Sequence, residues 1–149
     1  MIVEIVISAY LSYACMSDLG AGCVTKQIEA QVEWSAEDIA WMEKCVEAEE
    51  TDMGYRAKYL AASCIVNRAR GKSYGEGLEA VIFAPHQFEV VSNGRIYRME
   101  PTEETRRACE EALKNPARWV VGFSQGDLHS GWAEVCEVIN GEYFYKTKK

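Results

Sequence analysis

Residues 35–70 read SAEDIAWMEKCVEAEETDMGYRAKYLAASCIVNRAR, and this stretch decides the fold. Ser35 opens a helix: its side-chain oxygen suits the free amides of the first turn, and Glu37 and Asp38 suit the positive end of the helix. Ile39, Met42, Cys45 and Val46 then recur with a period near 3.6 and form an apolar stripe. At about 100° per residue, Glu49 falls in the middle of that stripe. Glu43, Glu47 and Glu50 fall on the opposite side and read as a solvated face. A second helix spans residues 55–70, with Ala57, Leu60, Ala61, Cys64 and Ile65 on one side and Arg68 continuing it. Its small side chains let another helix approach closely, and Gly71 ends it.

Working outward, residues 77–83 make a short helix stopped by Pro85. Residues 85–97 read as non-helical, with a turn at Asn93-Gly94 between β-formers. Pro101-Thr102 opens another helix whose inner face is Ala108, Cys109, Ala112 and Leu113. Glu103 with Arg107 and Glu110 with Lys114 support it one turn apart, and Asn115-Pro116 ends it. Near the C-terminus, residues 135–139 and 142–145 flank Asn140-Gly141, the signature of a tight β-hairpin with a type I′ turn. The expected fold class is therefore α+β, mostly helical, with a small C-terminal β-hairpin.

The chain has 149 residues, 48% hydrophobic and 26% charged, which suits one globular domain with a core and one cleft. Residues 35–149 read as that domain, and residues 1–34 as a leader or N-terminal extension. Within the extension, residues 2–16 are apolar apart from Glu4, followed by small residues up to Cys23, and the run is too short for a membrane span. Residues 1–23 resemble a signal peptide in the apolar run and in Ala21-Gly22, but Glu4 stands where a basic residue belongs. A helix docked on the domain or a disordered leader is the alternative, and residues 24–34 read as a linker. The formal net charge of −7 argues against nucleic acid, which demands a basic footprint, and leaves a glycan open.

Six cysteines stand at 15, 23, 45, 64, 109 and 136. None has the spacing of a zinc site, so neither a metal nor a cofactor is expected. Cys45, Cys64 and Cys109 lie among apolar residues at helical spacing and read as core; the even count permits disulfides after export. Asp127, His129 and Ser130 lie too close in sequence to form a catalytic triad. Trp34, Trp41, Trp119 and Trp132 read as core or rim aromatics.

A carboxylate on the core-facing side of a helix has two common outcomes. Glu49 either pairs with a buried cation, for which Arg68 is the obvious partner, or keeps a proton because desolvation raises its pKa. The second state is what a general acid requires to protonate a glycosidic oxygen. Spacing alone does not choose between them.

Ala48-Glu49, then Tyr55-Arg56-Ala57-Lys58-Tyr59-Leu60-Ala61-Ala62-Ser63-Cys64-Ile65-Val66-Asn67-Arg68, resembles the signature of the spore-cortex-lytic cell wall hydrolase family. Val81-Ile82, Gln87-Phe88, Ser92-Asn93-Gly94-Arg95 and Asn140-Gly141-Glu142-Tyr143-Phe144-Tyr145 follow in the family's order, so the likeness spans about residues 35–146. The resemblance implies a lysozyme-like single domain that acts outside the cytoplasm on peptidoglycan glycan strands, with a monomer expected. It implies cleavage of the β-1,4 bond between N-acetylmuramic acid and N-acetylglucosamine, with Glu49 as both acid and base. In lytic transglycosylases of the family the muramoyl 6-hydroxyl attacks, so no second carboxylate is required; Asp52 and Glu89 are the candidates should the chain hydrolyse instead. Gln87, Phe88, Tyr55 and Asn93 are the expected substrate contacts: Gln87 for an N-acetyl group, Phe88 and Tyr55 for sugar rings, and Asn93 at the turn with Arg95. For Phe88 and Tyr55 core packing is the competing reading. Asn67 and Arg68 are assigned to structure, bonding the loop after the helix and orienting Glu49. Thr51-Asp52-Met53 departs from the family's Gly-Gly-Glu or Arg-Gly-Glu, and Ala57 replaces a glycine. That departure motivates the rival reading, a non-catalytic peptidoglycan-binding or structural protein.

Overall fold

The computed structural model describes residues 32–129 and 131–148. The leader reading for residues 1–34 thus lies outside the described residues except at its last three, as do Cys15, Cys23 and Ser130.

Helix α1 (Ala36–Glu49) starts where the capping residue places it: the Asp38 amide donates to Ser35 Oγ at 3.0 Å. Helix α2 (Gly54–Arg70) follows after a short turn, and Gly54 takes the left-handed φ of +78° that lets the chain reverse so tightly. Ala57, Ala61, Ala62, Ser63 and Ala69 of α2 are buried, and these small residues put its axis close to its neighbours. Helix α3 (Gly77–Ile82) packs on α1 and α2 through Leu78, Val81 and Ile82. Helix α5 (Glu103–Lys114) lies along α2 and buries Thr105, Ala108, Cys109 and Ala112, with Leu113 at the edge of the core. Cys45, Cys64 and Cys109 are free thiols within this core, as the spacing suggests.

Three strands complete the domain: β1 (Gly122–Gln125), β2 (Ala133–Ile139) and β3 (Glu142–Thr147), antiparallel in the order β1-β3-β2. The hairpin between β2 and β3 turns at Asn140 and Gly141, with φ of +48° and +86°, both positive as a type I′ turn requires. Central strand β3 seals the core with Phe144, stacked 5.9 Å from Phe123 of β1. The end of α2 anchors the lead-in to β1. Asn67 Nδ2 donates to the carbonyls of Ala117 and Val120, both at 2.9 Å, and Arg68 donates to the Val121 carbonyl.

Three expectations are corrected or extended. Residues 85–97 hold two single-turn helices, α4 (Glu89–Ser92) and a 3-10 turn (Arg95–Arg98), separated by Gly94 in the left-handed conformation. Turns this short have no periodic signature and form because Val90 and Ile96 are buried. The β element gains a third strand, β1. Finally, Glu47 and Glu50 are not a solvated face: both are buried.

Glu47 is buried because the start of α5 covers it. Its Oε2 accepts from the Thr102 amide at 2.9 Å, from Thr102 Oγ1 at 3.0 Å and from the Thr105 hydroxyl. Lys58 Nζ, itself buried, stands 3.8 Å from Oε1. Burial would raise this carboxyl's pKa, but the Thr102 and Thr105 hydrogen bonds and Lys58 outweigh it and hold it below the ordinary value. Thr102 also caps α5 by accepting from the Thr105 amide at 3.3 Å. Thr102→Ala removes the cap and one donor to a buried carboxylate, so it is expected to cost about 1–2 kcal/mol, read as a lower urea midpoint at constant m.

Candidate active site

Glu49 ends α1 and lines a cavity of about 480 Å³. Ala48 and Glu49 come from α1; Glu89, Val90, Asn93 and Arg95 from α4 and the 3-10 turn; Phe123, Ser124 and Gln125 from β1; and Glu142 from the start of β3. The turn is built by Asn93, whose Oδ1 accepts from the Arg95 amide at 2.9 Å. Thr51 holds the Arg95 side chain there: Arg95 Nη2 donates to Thr51 Oγ1 at 2.7 Å, and that hydroxyl donates to the Glu47 carbonyl at 2.7 Å. The residue that departs from the family pattern therefore orients a cation at the cavity.

The Glu49 carboxyl is half-buried. It accepts from the Val90 amide, and its Oε1 is shielded from solvent with no hydrogen-bond partner. Burial raises its pKa above the ordinary carboxylate value. Glu89 pushes the same way, while the Val90 amide and Arg95 oppose without cancelling. Arg68, the expected buried partner, does not pair with it. Its guanidinium is committed to the Val121 carbonyl and, from Nη1, to Gln87 Oε1 at 3.0 Å.

Two more carboxyls share this region, and neither stood out in the sequence. Glu50, one residue past the helix, has no exposed surface and no hydrogen bond to either oxygen; burial, then Glu142 and Glu49, pushes its pKa up to about 8. Glu142 is 5% exposed, and burial together with Glu49 pushes it up to about 7. One signal existed for Glu142: strand alternation puts it on the same face as Phe144, which is core.

The other expected residues are dispersed. Asn93 and Glu89 line the cavity with Glu49, whereas Asp52 is exposed and outside its lining. Gln87 lines a neighbouring groove with Asn67, Arg68, Val121 and Trp132. Phe88 is buried, with its ring 6.3 Å from Phe123 and the Arg68 guanidinium over its face, so it packs as core. Tyr55 bonds to Glu111 on α5 with Arg107 over its ring, away from the cavity. His129 Nδ1 lies 3.3 Å from Asp127 Oδ2, a local contact outside the cavity lining.

The chain matches the Cell Wall Hydrolase family over residues 52–145. It belongs to that family. Glu49 lies just upstream of the matched residues. The cell wall hydrolase fold is also seen in solved relatives. The catalytic domain of the Bacillus cereus SleB protein superposes with a TM-score of 0.66 at 25% identity, covering 76% of this chain and 93% of that one. The catalytic domain of the germination-specific lytic transglycosylase SleB from Bacillus anthracis gives 0.64 at 26%, covering 76% and 97%. Among sequences, a spore cortex-lytic enzyme of Halalkalibacterium halodurans is 30% identical over 73% of this chain and 34% of its own length. The cell wall hydrolase CwlJ of Bacillus subtilis is 28% identical over 69% of this chain and 79% of its own. The chain thus spans about a third of the length of that spore cortex-lytic relative.

Proposed function

We propose that this chain cleaves peptidoglycan glycan strands at the β-1,4 bond between N-acetylmuramic acid and N-acetylglucosamine, with Glu49 as the proton donor. One observation carries the reading: a half-buried carboxyl with a raised pKa and an unpartnered oxygen lines a polar cavity. Such a group keeps its proton to a higher pH than an ordinary carboxyl and can give it to the departing glycosidic oxygen. The amide, hydroxyl and guanidinium groups of Asn93, Ser124, Gln125 and Arg95 suit sugar hydroxyls and N-acetyl groups. Membership of the cell wall hydrolase family and the spore cortex-lytic relatives support peptidoglycan as the polymer.

In a single-glutamate scheme the ionised Glu49 next takes a proton from the attacking hydroxyl. That hydroxyl is water in a muramidase and the muramoyl 6-hydroxyl in a lytic transglycosylase. The chain acts outside the cytoplasm, where its polymer lies, through residues 35–149 as the catalytic unit. No helix among the described residues is long and apolar enough to cross a membrane.

The test is incubation with purified sacculi and mass spectrometry of the soluble fraction. Muropeptide release that persists in EDTA is expected, with anhydro or reducing muramoyl ends naming the reaction. Binding to sacculi without any soluble product would replace this reading with the non-catalytic one.

A further inference from the structure

We propose that the groove beside the active-site cavity is a separate sugar-binding subsite, in which Trp132 and Tyr74 stack rings of the same glycan strand that Glu49 cleaves. The inference rests on reading the cavity as a glycan-cleaving site and deepens it: it says how a long strand is held away from the bond that breaks.

The groove has a volume of about 440 Å³. Its lining comes from the end of α2, the loop that follows it, Gln87 and the lead-in to β1. Two of the lining residues are large aromatics open to solvent, Trp132 at 61% exposure and Tyr74 at 40%. Rings of this size usually bury most of their area, and here two loops far apart in sequence bring one each to the same groove. The groove also holds polar groups in fixed positions. Arg68 donates to the Val121 carbonyl at 3.1 Å and, from Nη1, to Gln87 Oε1 at 3.0 Å. The guanidinium thereby fixes the Gln87 amide, and the NH2 end of that amide is the one that can meet an acceptor. Flat apolar platforms with an amide donor among them match the apolar face and the N-acetyl carbonyl of an amino sugar.

Position says which sugars these are. Glu142 begins β3, pairs with Gln125 of β1 and lines the cavity with it. Just past the other end of β3, the Lys148 amide donates to the Trp132 carbonyl at 3.0 Å, so Trp132 stands level with the far end of the sheet. From residue 142 to residue 148 an extended chain covers roughly 20 Å, the span of several sugar rings. The other walls run the same way. Gln87 and Val121 line the groove, and Glu89 and Phe123, two residues further along each stretch, line the cavity. Groove and cavity are thus consecutive stations along the same two stretches of chain, and a linear polymer lying in one reaches the other. Pairing to the end of the sheet holds the Trp132 backbone in place before substrate arrives, which lowers the ordering cost of binding.

The experiment uses the full chain and two readouts. In the first, soluble β-1,4-linked N-acetylglucosamine oligomers, which carry no peptide, are titrated into the Glu49→Gln chain while tryptophan fluorescence is followed. Binding is expected to change the emission, and Trp132→Phe in that background is expected to remove most of the change while keeping most of the affinity. Trp132→Ala and Tyr74→Ala are each expected to weaken binding about tenfold at an unchanged melting temperature. In the second, cleavage of purified glycan strands is measured with Glu49 intact. Both Ala variants are expected to raise KM about tenfold on long strands and progressively less on fragments too short to reach from Glu49 to the groove. A general defect of the fold would weaken short and long substrates alike. Equal losses at every length, wild-type affinity and KM in both Ala variants, or binding that appears only when peptide stems are present would each remove the subsite. If oligomers bind through Trp132 but the wild type releases nothing, the groove stands and the cleavage reading falls. If release is robust and indifferent to Trp132 and Tyr74, the cleavage reading stands and the groove falls.

Discussion

Glu49→Gln is expected to abolish the release of soluble muropeptides and to leave the fold in place. Glutamine keeps the length of the side chain and an oxygen for the Val90 amide, so α1 and the cavity wall are undisturbed. It has no acidic proton to give, and loss of general acid catalysis is expected to cost about 10²–10⁴ in rate. Glu49→Asp tests position separately. It retains the acid but withdraws it from the cavity, and a misplacement near 1 Å is expected to cost roughly 100-fold. Because burial raises the Glu49 pKa, wild-type activity should fall on the alkaline side as the group ionises, at a pH above the ordinary carboxylate range. Release measured across pH for the wild type and both variants checks all three expectations. A Gln variant with wild-type release would end the assignment of Glu49.

The helices that build this site are legible in the sequence because each has a long, one-sided stripe. Met42, Cys45 and Val46 of α1, and Ala108, Cys109 and Ala112 of α5, are buried where the period places them. Glu49 was conspicuous for the same reason. The errors arise where that geometry no longer applies. A helical wheel assumes one buried side, but α1 is covered on two: α3 packs on one flank, and Thr102 and Thr105 at the start of α5 reach Glu47 on another. Those partners lie 55 residues or more away in sequence, so nothing local announces them. Glu50 lies one step beyond the helix at φ −115°, where an angle of about 100° per residue has lost its meaning. Gly122–Gln125 becomes a strand only because β3 offers it an edge, and Glu142 becomes part of the cavity only once that sheet closes against α1. The surroundings of the residues expected to touch substrate are set by distant partners in the same way. Phe88 and Tyr55 are aromatic enough to hold sugars, yet the packing of Phe123 and the reach of Glu111 commit them elsewhere.

Glu50→Met is expected to make the protein more stable at alkaline pH and to change little at mildly acidic pH. The Glu50 carboxyl is fully buried, neither oxygen has a partner, and its pKa rises from 4.5 to about 8 on folding. Below pH 4.5 the group is protonated in both states and contributes no pH dependence. Between the two values the folded state keeps a proton that the unfolded state releases, so stability declines as pH rises, and the full loss is reached above pH 8. That loss is on the order of 5 kcal/mol, or roughly 10–20 °C in melting temperature for a domain of this size. Glu142 and Glu49 are raised in the same direction and add to the alkaline decline. Glu47 is lowered on folding and works the other way, so its contribution is present at neutral pH and is lost on acidification. Methionine fills the same space without a charge or an unmet donor, which is why it isolates the titration from the packing. Melting curves of the two proteins from pH 5 to pH 9 should start together and separate steadily. Parallel curves would mean that Glu50 does not hold a proton in the folded protein, and the surplus of negative charge that drives proton retention at Glu49 and Glu142 would lose its deepest member.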